Sequence, residues 1–263
     1  MQSGNLFMYT MHNPIMWLDP LGLFSWNEAD DHWFSLRQEV RDAGGTMSWN
    51  GSTASVSIWG VAVNFALGNG VEMRNGLVHV RADAFYSTVV NAATEMVFLG
   101  GHGAISRGNT HAYHAMVVMF VSSDSGFHGT EHFRDNVRWG NVQYATIGGT
   151  SWDGPTGLTP GPAHLQSRVN FRADINLNTN RLMQHVHSGE GVVSRLLASH
   201  TYFYNNSRRV PYTFVPGNRH YHFNSNSFAR GLLRSAGFVT FQIQFNQNLP
   251  GWQRPVPSRY FGV

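Results

Sequence analysis

The 263-residue chain has no cysteine and no lysine. Without cysteine there are no disulfides, no thiolate zinc ribbons and no thiol catalysis by the chain as it stands. Without lysine, all 18 basic residues are arginine, a bias that fits either GC-rich codon usage or avoidance of lysine-directed modification. Charge is sparse as well, at 13% of residues and a net value of +3. The arginines are scattered and no basic run exceeds Arg208-Arg209, so the nucleic-acid signal is not strong. No run of 18 apolar residues predicts a membrane-spanning helix. No basic-then-apolar leader opens the sequence, so a Sec signal peptide is not expected. Repeats and low-complexity tracts are also lacking.

Apolar residues make up 42% of the chain and aromatics 13%, enough for a core. The length suits one large domain, or a domain with a short appendage. The appendage is visible in residues 5–23. Asn5-Leu6-Phe7-Met8-Tyr9 reads as a short aromatic strand, Asn13-Pro14 as a turn, and Asp19-Pro20-Leu21-Gly22-Leu23 as a second turn. These residues resemble the end of the RHS-repeat (YD-repeat) core, with Phe7 where that family has tyrosine. The resemblance implies a junction between a shell and a variable C-terminal toxin, with cleavage after Leu23 and Asp19 in the processing site. Residues 1–23 would then close the core, and 24–263 would be the toxin domain. Expected partners are the RHS shell of the parent protein and a cognate immunity protein. Expected delivery is into a target cell by a type VI secretion system or a similar route.

Beyond the junction the pattern predicts an α+β domain. Ser25-Trp26-Asn27-Glu28 has the form of a capping box, and Trp33, Leu36 and Val40 form a stripe that stops at Gly44-Gly45. Residues 54–82 alternate like strands around a Gly68-Asn69-Gly70 turn. Residues 85–98 suit a helix, Leu99-Gly100-Gly101-His102-Gly103 a glycine loop, and His114–Val121 a buried strand with 142–147 as its neighbour. Residues 148–164 read as a long Gly/Pro-rich loop, and 175–204 as helix broken near Gly189-Glu190-Gly191. From Val239 onward one strand and an irregular Pro-rich end are expected.

Chemistry is concentrated in Tyr221-His222-Phe223-Asn224-Ser225-Asn226-Ser227-Phe228, which opens a helix carrying Phe228, Leu232 and Leu233 and closing at Gly237. A hydroxyl at a helix start lies where unpaired N–H groups and the helix dipole favour negative charge. A bland reading also holds: Ser225 or Ser227 is a plain N-cap. Of the 14 histidines, His111 and His114 have the spacing of a helical metal pair but precede a strand directly, and His185 and His187 suit a ligand pair poorly. No metal site and no cofactor is expected.

His114-Ala115-Met116-Val117-Val118-Met119, followed far downstream by Asn224-Ser225-Asn226-Ser227-Phe228, resembles the circularly permuted papain-like clan of hydrolases and acyltransferases. That clan usually has cysteine where this chain has Ser225, as a natural serine or a replacement. The resemblance implies an antiparallel sheet packed with helices, Ser225 as nucleophile and His114 as base. Gln143 or Thr146 would orient the imidazole, and the Ser225 or Asn226 N–H would hold the oxyanion. The expected substrate is an ester or amide, with lipid favoured over cell-wall peptide. The rivals are an ADP-ribosyltransferase, for which Ser52-Thr53-Ala54-Ser55 and Glu190 give a thin imitation of the motifs, and a nuclease. There is no G-x-S-x-G and no deaminase cysteine pair.

Overall fold

The computed structural model describes residues 33–107, 110–135, 141–151, 165–170, 181–206, 210–213, 223–238 and 249–263. The fold is α+β, with four α-helices and several antiparallel sheets among these residues. The RHS-like segment, with Asp19 and Leu23, lies outside the described residues.

The chain enters through β1 (Trp33–Ser35) and α1 (Leu36–Asp42). Trp33 therefore belongs to a strand, not to the predicted helix: Trp33, Phe34 and Ser35 pair with Arg81, Val80 and His79. Two small sheets follow. β2 (Thr46–Trp49), β3 (Thr53–Ile58) and β4 (Val61–Ala66) form one, while β5 (Val71–Arg74) and β6 (Leu77–Arg81) complete the sheet begun by β1. Both tight hairpins turn on two residues of positive φ, Trp59-Gly60 and Asn75-Gly76, as the right-handed twist of paired strands demands.

α2 (Ala82–Ala93) buries Ala82, Phe85, Tyr86, Val89, Val90 and Ala93, a stripe at helical spacing. It stops at Thr94, whose φ is 67°. The predicted helix thus starts three residues earlier and gives way to a strand. That strand, β7 (Glu95–Arg107), includes the Gly100-Gly101-His102-Gly103 stretch read from sequence as a loop. The glycine at 100 serves packing, since a Cβ there would lie 2.9 Å from Val118 Cγ2.

β7 is part of a central antiparallel sheet with β8 (Thr110–Val121), β10 (Gln143–Ser151), β11 (Leu165–Val169) and β12 (Arg181–Ser188), in the order β11-β10-β8-β7-β12. The two-residue β9 (Arg134–Asp135) pairs with β10. β12 takes up residues 181–188 of the helix predicted over 175–204, residues 175–180 lie outside the described ones, and α3 (Val192–Asn206) keeps the second half. Alternation along β8 divides the interior. Met116, Val118 and Phe120 join α2 and the small sheets in an aromatic-rich core. Ala115, Val117, Met119 and Val121 join a second core on the other face, built with α3 and α4 (Ser225–Ser235).

α3 is capped by a neighbouring strand. The buried carboxylate of Glu95 accepts from the Val193 N–H at 3.1 Å and the Ser125 hydroxyl at 3.0 Å, so a negative charge sits at the positive end of the helix. Among the described residues no helix is long and apolar enough to cross a membrane.

Candidate functional site

The predicted helix at Ser225 forms with both ends as the sequence implies. Asn224 is its N-cap, accepting from the Ser227 N–H at 3.0 Å. At the other end, Phe238 N donates to Leu233 O and Gly237 N to Arg234 O. With φ of 91° at Gly237, this is a Schellman closure. The capping role considered for Ser225 and Ser227 therefore falls to Asn224. A short side chain with a carbonyl oxygen at the last non-helical position reaches that N–H directly.

The first turn is held on two sides. Asn226, 2% exposed, accepts from the Ala115 N–H at 2.6 Å and donates to Tyr113 O at 2.9 Å and Pro250 O at 3.0 Å. Tyr113 and Ala115 flank His114 in β8. The strand register explains why their main chain is open to the helix: β10 pairs with β8 only as far as Gly148 opposite Met116. Beyond that level the Asn226 carboxamide takes the β8 hydrogen bonds that a neighbouring strand would supply.

The second support is the segment 249–263. Three successive carbonyls in it accept from the helix: Pro250 from Asn224 Nδ2 at 2.7 Å, Gly251 from the Ser227 hydroxyl at 2.9 Å, and Trp252 from Arg230 Nη1 at 2.7 Å. Val256 N returns a bond to Ser227 O at 3.0 Å. The contact is too close for a side chain at 231, where a Cβ would lie 2.6 Å from Val256 O. On the sheet side Gly149 plays the same part, since a Cβ there would come within 2.8 Å of Phe228 Cβ. The closing segment gave no distinctive signal in the sequence beyond its prolines.

Asn224, Asn226 and Ser227 thus spend their polar side chains on structure. Ser225 does not. It is 6% exposed, and among the described residues its hydroxyl makes no hydrogen bond, although it stands on the first helical residue.

His114 lies on β8 beside this turn, as the fifth residue of the strand and not its first, because β8 begins at Thr110. Alternation assigns it to the row of Met116, Val118 and Phe120, while Ala115 belongs to the row under α4. Across β7 its Cα partner is His102, whose own partner on β12 is Arg181.

The two proposed orienting residues are not brought to His114. Gln143 pairs with Val121, seven residues along β8, or about 23 Å at 3.3 Å per residue. Its carboxamide is engaged there, accepting from Gly129 N at 2.7 Å and donating to Asp135 at 2.8 Å. Thr146 pairs with Val118, about 13 Å along the strand. Its hydroxyl is buried without a partner among the described residues. Sequence proximity to the base strand suggested both, but an antiparallel return carries early residues of β10 to the far end of β8.

Two other histidines are perturbed. His185 stacks on Trp59 with centroids 5.2 Å apart and meets the edge of Phe98 at 5.5 Å. Its Nε2 lies 2.7 Å from the Ser188 hydroxyl. Burial, reinforced by the neighbouring His187, lowers its pKa to about 3. His200 on α3 is 7% exposed. Burial, with a contribution from His132, lowers its pKa to about 4. His111 and His114 lie on an extended strand, and no group of three metal-binding side chains occurs among the described residues.

Comparison with known protein families, with characterised proteins and with solved structures returns no match for this chain.

Proposed function

We propose that the chain is a hydrolase or acyl-transfer effector in which Ser225 attacks an ester or amide carbonyl and His114 takes the hydroxyl proton. One observation carries this reading. The helix turn bearing a serine whose hydroxyl makes no hydrogen bond among the described residues is tied to the main chain on both sides of a histidine 111 residues earlier, through Asn226. A serine kept only for capping would have its hydroxyl on a helix N–H, and that bond belongs to Asn224.

This reading follows the order of a permuted papain-like site, with the base strand first and the nucleophile helix second. The Asn226 amide lies at the edge of β8. Because alternation puts His114 on the face opposite α4, in this reading the dyad closes around that edge, beyond Met116, where β10 pairs with β11 and no longer with β8. Ser225 bonds to the acyl carbon as its proton passes to the His114 imidazole. The imidazole then returns the proton to the leaving alcohol or amine, and water or a second acceptor frees the acyl group from Ser225. The N–H groups of the first turn stabilise the oxyanion, a contribution on the order of 3 kcal/mol. An acyl lipid is the favoured substrate, and the effector would be released from an RHS shell and held in check by an immunity protein. For the ADP-ribosyltransferase alternative, Ser55 lies on the outer face of β3 and Glu190 is exposed in the turn before α3, and no described contact joins them.

The test is labelling with a fluorophosphonate, which reports an activated serine without knowledge of the substrate. Modification mapped to Ser225, with hydrolysis of labelled phospholipid and loss of both in Ser225→Ala, is the expected result. Full toxicity in Ser225→Ala would overturn the reading, and NAD consumption would point to ADP-ribosyl transfer.

A further inference from the structure

Asn226 has chemistry that no shorter or charged residue reproduces. Its carbonyl oxygen accepts from the Ala115 N–H, and its NH2 group donates to two carbonyls, Tyr113 and Pro250. Aspartate would keep the acceptor and set a negative charge against two carbonyl oxygens. Serine is one atom too short to span acceptor and donors, and glutamine adds a methylene where the side chain is 2% exposed. The carboxamide behaves as one peptide unit of an absent strand. It offers C=O and N–H to alternate residues of β8, beyond the last β10 pair at Gly148 and Met116.

This single side chain joins three segments far apart in sequence: the strand at 113–115, the helix start at 225–226 and the strap at 250. Its neighbour Asn224 ties the helix start to the same Pro250 carbonyl at 2.7 Å. Ser225 is therefore flanked by two anchored residues, and the Asn226 anchor reaches the strand that carries His114.

We propose that Asn226 is a positioning residue that sets the separation of the Ser225 hydroxyl from the His114 imidazole by bolting the helix start to the main chain around His114. The inference rests on the functional reading given above. A shift of about 1 Å between reacting groups costs about a hundredfold in rate, so the bolt acts on the rate constant as well as on the stability of the fold.

The experiment uses the full chain and measures the fluorophosphonate labelling rate constant of Ser225, the labelled fraction and the pH dependence of the rate. The variants are Asn226→Asp, Asn226→Ala and Asn224→Ala. In the parent protein the rate should rise with pH through one imidazole ionisation. In the Asn226 variants the rate constant of the folded fraction should fall about a hundredfold, and the imidazole step should disappear from the profile. Asn224→Ala loses the cap and one strap bond but keeps the tie to β8. It should lower the labelled fraction while leaving the pH midpoint in place.

Asn226 variants with the parental rate constant and midpoint would overturn the proposal and leave Asn226 a structural residue. Failure of both Asn226 variants to fold, where Asn224→Ala folds, would overturn it in the same sense. If the parent protein itself is not labelled at Ser225, the functional reading falls and this inference with it, a result distinct from the other two.

Discussion

The two faces of the central sheet are built from different materials. On the α2 side, Phe85 alone touches four rings, Phe34, Trp59, Phe65 and Tyr86, at centroid distances of 5.2–5.9 Å. On the α4 side the interior also holds Asn224, Ser225, Asn226, Ser227, Ser167, Ser199 and His200. Three of the buried atoms without a partner among the described residues, Ser167 Oγ, His200 Nε2 and Ser235 Oγ, belong to strands and helices of that side. Burying polar groups costs stability unless each is bonded. The α4 face has rings too, Phe203, Phe228 and Phe261 at centroid distances of 4.9–5.7 Å, so what sets it apart is its cluster of buried polar groups at the proposed site.

That contrast can be broken most forcefully at Phe85. Phe85→Ala removes a side chain with no exposed surface and should cost about 3–5 kcal/mol, read from urea unfolding. The labelling rate of Ser225 in the folded fraction should not change. A fall in both would mean that the two faces are not separable.

Acid should act on both faces through the two histidines. Each has a folded pKa below its unfolded value of 6.5, so the unfolded chain binds more protons as pH falls below that value. Stability should be level above pH 6.5 and decline from there toward about pH 4 for His200 and about pH 3 for His185. The slope is at most about 1.4 kcal/mol per pH unit for each group. Thermal melts from pH 7 to pH 4 on His200→Gln and His185→Gln should each be flatter than those of the parent protein. An unchanged slope in both variants would assign acid sensitivity to other groups.

The smallest effect is expected at Gln143. Its bonds to Gly129 and Asp135 are local to the far end of β8, so Gln143→Ala should cost about 1–3 kcal/mol and leave Ser225 labelling at the parental rate. A large loss of labelling would restore Gln143 to the site.

The same contrast explains what could be read in the sequence. α4 was legible because Phe228, Leu232 and Leu233 form a narrow stripe between an Asn-Ser start and Gly237. The 54–82 strands were legible from alternation. β12 was not, because Gln184, His185 and His187 interrupt its apolar pattern and the pairing with β7 shifts register between His185 and His187. The glycines at 100 and 101 read as a loop, although the strand needs a small residue at 100 beneath Val118. Trp33 has helical spacing to Leu36 and Val40, but a partner strand more than 40 residues later claims it. In the candidate site, nucleophile and base were named from motif order. The carboxamide that joins their segments carries no local signature, because its partners at Tyr113 and Ala115 lie more than 100 residues away.

The carbonyls of Pro250, Gly251 and Trp252 have a consequence for how the molecule comes into being. Synthesis runs from β8 through α4 to this strap, so a chain still threaded in the ribosome tunnel beyond Asn226 lacks the acceptors for Asn224, Ser227 and Arg230. The sheet can assemble while the serine turn stays loose. Under the proposed function, a cell making the chain would meet a finished reactive centre only after the strap has emerged.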